Sequence, residues 1–162
     1  PKALNKAAAY IAQAETIDIY AEECSIAPAI DLRTSLSYLG LRCRLDTVTH
    51  LQRLGACHLE HGDTAIAFSR SGTASDAVAS LRLAQSRGAR TIAITGSTDT
   101  PLSGWTDVTL PTGNGHQTIT GNAAFAHIAD IALVNMLSIS VILSDYGRFS
   151  TALNESCRTL DD

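Results

Sequence analysis

Basic charge is scarce in this chain of 162 residues: 12 lysines and arginines stand against 16 aspartates and glutamates, giving a net charge of −4 and a pI near 5.7. The few cations are scattered, which argues against these residues holding DNA or RNA by phosphate neutralisation; a DNA role would need another segment. Cysteine is sparse too. Cys24, Cys43, Cys57 and Cys157 show no C-x-x-C spacing and sit in apolar or helical contexts, which predicts buried thiols in a reducing cytoplasm rather than disulfides or a zinc site. His50, His58 and His61 form no ligating pattern with Cys or carboxylates. The N-terminus lacks a basic head followed by an apolar run and a small-residue cleavage site. The longest apolar stretch, 131–143, is too short to span a bilayer and carries Asn135, Ser138 and Ser140, so it predicts a buried helix. Neither G-x-G-x-x-G after the first strand nor GxxxxGK[ST] occurs, which leaves dinucleotide and P-loop nucleotide binding without support, and no cofactor is expected. The chain opens at Pro1, as expected of a processed product or of a domain excised from something longer.

What is present suits one globular domain spanning residues 1–162: 45% hydrophobic and 17% charged residues are enough to bury a sizeable core. The stretch 63–73, DTAIAFSRSGT, organises the rest. Thr64 to Phe68 is a short apolar, β-prone run, and Ser69 to Thr73 supplies three hydroxyls and a glycine before an alanine-rich helical pattern. At such a strand–loop–helix junction the first helical N–H groups lack intrahelical partners and the helix dipole favours an anion. Ser69, Ser71, Thr73 and the amides around Gly72 can therefore wrap a phosphate. The plainer alternative is that Ser71, Thr73 or Ser75 merely caps the helix.

Taken in order, 2–14 predicts a helix with Leu4, Ala7, Ala8 and Ile11 on one face, and 16–21 a strand. A helix follows over 26–39, closed by Gly40, then a strand at 41–45 and a helix at 47–56 capped by Thr47 or Thr49. After the central strand comes a helix over 74–87, ended by Gly88, and a fourth strand at 90–95. The Gly, Ser, Thr and Pro-rich segment 96–106 predicts a surface loop, 107–110 a fifth strand and 113–117 another loop. Helices over 119–143 and 146–159 complete the chain. Short apolar strands alternating with helices imply an α/β fold, a mainly parallel sheet with helices on both faces. Ligands in such sheets bind at the carboxyl ends of the strands, here the loops at 22–25, 69–73 and 95–99.

The ordered set of Ser25 after the first strand, Leu39-Gly40 ending a helix, Gly62-Asp63, Ser69-Arg70-Ser71-Gly72-Thr73, Gly88-Ala89, Ile94-Thr95 and Pro101-Leu102 resembles the sugar isomerase (SIS) domain. It is similar in particular to the sugar-phosphate-sensing C-terminal domain of RpiR-type bacterial transcription regulators. The resemblance covers about Leu4 to Leu143. It implies a three-layer αβα sandwich with a five-stranded parallel sheet of flavodoxin-like or Rossmann-like kind, a homodimer or higher oligomer, and a phosphosugar held by the loops bearing Ser25 and Ser69 to Thr73. DNA would then be contacted only through a helix-turn-helix domain lying outside these residues.

The sequence also departs from that family. Glycines that usually flank the turn after the first strand are replaced by Ala21 and Glu23, and a carboxylate at the mouth of an anion site opposes phosphate. Arg70 can compensate by binding phosphate or a sugar-acid carboxylate in bidentate fashion, or it is a solvated side chain. Glu22 and Glu23 are either a surface strand end or acceptors for sugar hydroxyls or an amino group. A threonine often found after the loop glycine is Ala74 here. The favoured reading is a non-catalytic effector-binding and oligomerisation domain with Ser25, Ser69, Arg70, Ser71, Gly72, Thr73 and Glu23 at the ligand. The alternative is a sugar-phosphate isomerase. That chemistry needs a base to move a proton between adjacent carbons, for which only Glu22, Glu23, His61 or His116 stand near the expected pocket rim. His127, beside Phe125 and Ile128, reads as a core or interface histidine.

Overall fold

A computed structural model describes residues 2–73, 75–113 and 123–161, with side chains of the last stretch from 127 on. Five strands, β1 (Ile17–Tyr20), β2 (Cys43–Leu45), β3 (Thr64–Phe68), β4 (Arg90–Thr95) and β5 (Val108–Pro111), form one sheet in the order β2-β1-β3-β4-β5. Every pairing is parallel, with Ile19 beside Ile66 and Ile66 beside Ile92 across the centre. The α-helices are α1 (Lys2–Ala12), before β1, α2 (Ile26–Tyr38), α3 (Thr49–Cys57) and α4 (Asp76–Ser86), between strands, and α5 (Ala123–Ser144) and α6 (Tyr146–Asp161), after β5.

The two faces of the sheet differ in side-chain size because strand residues alternate sides. Ile17, Ile19, Ile66, Phe68, Ile92 and Ile94 fill the face under α1, α2, α5 and α6. Ala65, Ala67 and Ala93 line the other, where α3, α4 and Leu102 pack and the small side chains let the helices come close. Each fully buried Ile or Leu contributes about 1.5–3 kcal/mol. The α/β sandwich expected from the sequence is the one found.

Several local expectations need correction. Neither Thr47 nor Thr49 caps α3; Val48 holds the cap position without a side-chain bond, and α3 starts at Thr49 itself. The 96–106 segment is not all surface: Pro101–Trp105 forms a 3-10 turn that puts Leu102 into the core at 1% exposure. The cysteines are free but not buried, Cys24 and Cys157 being exposed and Cys43 and Cys57 half-buried; helical context says nothing about which face a residue takes. Burial still pushes the Cys43 thiol up to about 12.

The long apolar helix differs most. Over His127–Ser144, α5 is long and apolar enough to cross a membrane, and it is not a buried helix. Leu133, Val134, Leu137 and Val141 are buried on the sheet, α1 and α2, while Ile128, Ile131, Met136, Ile139 and Leu143 are exposed. Uniform hydropathy hides such a division, since no polar stripe marks the outer side.

One buried charge stabilises the edge beside the future site. The Asp18 carboxylate in β1 accepts from Arg44 Nε at 2.9 Å and also from Arg44 Nη2, and the Tyr20 hydroxyl donates to it at 3.2 Å. Burial and then the Asp18 charge drive the Tyr20 hydroxyl far above its ordinary pKa. Gly55 of α3 is required there, because a Cβ would lie 2.8 Å from Asp18 Oδ2 and closer still to the guanidinium. Gln52, one turn earlier, donates from Nε2 to Ala21 O at 2.8 Å and to Asp46 O at 2.9 Å, bracing the carboxyl end of β1. Arg44 is 46% exposed and Asp18 only 2%, so Arg44→Ala strands a buried carboxylate. That variant is expected to lose about 3 kcal/mol in urea unfolding; a loss under about 1 kcal/mol, the usual range for an exposed ion pair, would contradict this account.

Candidate functional site

In the order β2-β1-β3-β4-β5 the chain leaves β1 toward one edge and β3 toward the other, so the crevice outside their carboxyl ends is the switch point. Two loops flank it, residues 21–25 and 69–73. The second runs beside the end of β4: Ser69 N donates to Ile94 O at 3.0 Å and Gly96 N to Arg70 O at 3.0 Å. Gly72 N donates back to Ser69 O at 3.1 Å, closing a turn with Gly72 at φ 59°. A Cβ on Gly72 would meet Thr100 at 2.5 Å, so glycine is needed for backbone conformation and for contact with the next loop.

Ser75, rather than Ser71 or Thr73, caps α4, its Oγ accepting from Val78 N at 3.2 Å. That leaves Ser71 and Thr73 exposed with their hydroxyls bonded to each other at 2.7 Å. Ser69 is buried at 8% exposure and Ser25 half-buried at the start of α2, where it makes no side-chain cap bond. Ser25, Phe68, Ser69, Arg70, Ile94, Thr95, Gly96 and Asp130 enclose a cavity of about 10 Å³, room for about one water molecule. Larger grooves, of about 400 and 580 Å³, lie between the carboxyl end of α2 and α6 and between α4 and Trp105, and none of the residues that line the small cavity lines either of them.

Charge in the crevice is arranged differently from the sequence expectation. Glu22 is neither a free strand end nor a free base: its Oε1 accepts from Ala77 N at 3.0 Å and serves as an anion at the amino end of α4. Glu23 is exposed, outside the cavity lining, and has φ 49°, a left-handed conformation that favours glycine. Arg70 is three-quarters buried, and its Nη2, 4.0 Å from Asp130 Oδ2, has no hydrogen-bond partner among the described residues. Asp130, on α5, was not singled out in the sequence. Burial raises its carboxyl above the usual range, opposed by Arg70, Thr112 and His127. His61 precedes β3 and packs near Gly88, at the amino ends of the strands and so at the opposite end of the sheet from the crevice; its expected place at the rim is wrong. His116, most of the 113–117 loop and Ala74 lie outside the described residues. No cluster suited to a metal occurs among the described residues.

The fold and this crevice define an open α/β domain with a hydroxyl- and amide-rich pocket at its switch point. The chain belongs to the SIS domain family, whose profile matches residues 50–142. It is 31% identical over 143 residues to an uncharacterized HTH-type transcriptional regulator of Caldanaerobacter subterraneus subsp. tengcongensis, covering 88% of this chain. The chain spans about half, 51%, of that relative's length. Among solved structures it resembles the sugar isomerase domain of an RpiR transcription factor from Sphaerobacter thermophilus, with a TM-score of 0.82 and 27% identity over 98% of this chain and 87% of that one. It also shares the fold of the Vibrio vulnificus NanR protein complexed with ManNAc-6P, with a TM-score of 0.91 and 24% identity over 98% of this chain and 60% of the other.

The left-handed Glu23 stands where the family usually has glycine, and relief of that strain outweighs the extra freedom glycine gives the unfolded chain. Glu23→Gly is expected to raise stability by up to about 1 kcal/mol in urea unfolding. A loss of similar size, the ordinary effect of introducing glycine, would contradict the strain.

Proposed function

We propose that this chain is the effector-binding and oligomerisation domain of a bacterial transcription regulator of sugar metabolism, and that it binds a phosphosugar or sugar-acid phosphate without converting it. The observation that carries this reading is the convergence at one switch point of Ser25, the 69–73 loop and a buried guanidinium atom with no hydrogen bond among the described residues. Ser69, Ser71 and Thr73 offer hydroxyls, the amides around Gly72 offer N–H donors, and Arg70 offers the charge. That the relatives include transcription regulators, and that NanR is named in complex with a sugar phosphate, supports the same assignment.

The isomerase alternative is weaker on chemical grounds. Proton transfer between adjacent carbons needs a base free to reach them. Among the described candidates, Glu22 is engaged with Ala77 N, Glu23 is exposed outside the cavity, and His61 lies at the other end of the strands. DNA is contacted through a further domain in the parent chain, in the cytoplasm, and the role of this domain there is to report on the ligand. Only differential affinity of the ligand for two arrangements of subunits is required.

The oligomer forms through α5 in this proposal. Ile128, Ile131, Met136, Ile139 and Leu143 make an exposed apolar stripe on the same helix that carries Asp130, with no charged side chain at those positions to oppose two copies. The helix thus touches both the crevice and the subunit contact.

Ser69→Ala together with Ser71→Ala is expected to weaken binding of a phosphosugar about tenfold or more per hydroxyl, since a hydrogen bond to a charged group contributes about 1.5–3 kcal/mol. Titration calorimetry checks this, and unchanged affinity would remove the site. Ile139→Asp is expected to shift the domain toward monomer in sedimentation velocity; an assembly unaffected by it would place the contact elsewhere.

A further inference from the structure

Arg70 and Asp130 face each other inside the crevice, 4.0 Å apart, with side chains 24% and 13% exposed. Their separation leaves the Arg70 Nη2 close to a carboxylate yet without a hydrogen bond among the described residues. An ion pair this loose gains little from geometry while both groups lose hydration. The surrounding space, about 10 Å³, admits no sugar while Arg70 lies in it, so an entering ligand must move the guanidinium. An anionic group that draws Arg70 into bidentate contact leaves Asp130 behind in α5, without the guanidinium opposite it and with Thr112 and His127 as its remaining polar neighbours.

Resting on the reading above, we propose that Asp130 is the specificity-determining residue of this site: it competes with anions for Arg70 and then accepts a hydrogen bond from a hydroxyl or amine of the same ligand. The ligand class that satisfies both residues carries one anionic group and neighbouring donors, as a phosphorylated polyhydroxy or amino sugar does. A bare anion satisfies Arg70 but takes the guanidinium from Asp130 and offers it no donor in return. A ligand with a carboxylate on the Asp130 side meets like charge, which narrows the choice between phosphosugar and sugar-acid phosphate toward the former. Glu22 does not share this role, because its carboxylate is already held by Ala77 N.

The test is calorimetric titration of inorganic phosphate, and of the tightest binder from a panel of hexose, pentose and amino-sugar phosphates, into the wild-type domain, Asp130→Asn and Asp130→Ser. Both substitutions remove the charge. Asp130→Asn keeps the shape and Asp130→Ser guards against a fold defect, with melting temperature as the control. Inorganic phosphate is expected to bind about tenfold tighter to both variants and the sugar phosphate more weakly, so that the ratio of the two dissociation constants falls at least tenfold. A ratio unchanged in both variants overturns the role of Asp130 while leaving the site intact. Failure of every sugar phosphate to bind the wild type overturns the site itself, and the proposal with it.

Discussion

Parallel pairing of β1 with β3 at the centre of the sheet is the constraint on which the rest depends. It sets Ile19 beside Ile66 and Tyr20 beside Ala67, and so brings the ends of both strands to one level. Their following loops must then diverge toward opposite edges, opening a crevice between Ser25 and the 69–73 turn. The Asp18–Arg44–Tyr20 cluster and Gln52 hold β1 from one side, the β3–β4 ladder holds the loop from the other, and Gly72 locks it under Thr100. The crevice is therefore set by the rigid centre of the fold, with loop chemistry added on top.

Within it the protein supplies its own countercharges. Glu22 occupies the amino end of α4, and Asp130 stands opposite Arg70. A helix terminus expected to receive a ligand anion is thus partly satisfied from within, and the donors left for a ligand are hydroxyls, loop amides and one guanidinium. This arrangement suits the discriminating binding proposed above. Because Asp130 sits on the helix with the exposed apolar stripe, charge rearrangement in the crevice acts on the element proposed to join subunits.

Local chemistry was legible in the sequence; distant partnerships were not. The β3 run, the Ser69 to Thr73 turn, the glycine at its left-handed position and the strand–helix alternation all follow from short-range patterns, and the order of elements with the SIS resemblance supplied the sheet. Glu22 and Ala77 are 55 residues apart, and neither carries a local sign of the other. Asp130 lies in an apolar helix that gives no periodic clue to its inward side, and the same uniformity hid the exposure of Ile139 and Leu143. His61 lies in a loop that enters β3 at its amino end, and loop position alone does not distinguish that end of the sheet from the carboxyl end where the crevice opens.

The central claim is that a sugar phosphate binds at the β1–β3 switch point, and amide shift mapping by NMR on addition of a hexosamine 6-phosphate tests it most directly. The account predicts the largest shifts at Ser25, at Ser69 to Thr73 and Gly96, and in α5 around Asp130. Shifts confined to the groove between α2 and α6, or to that beside Trp105, would contradict it.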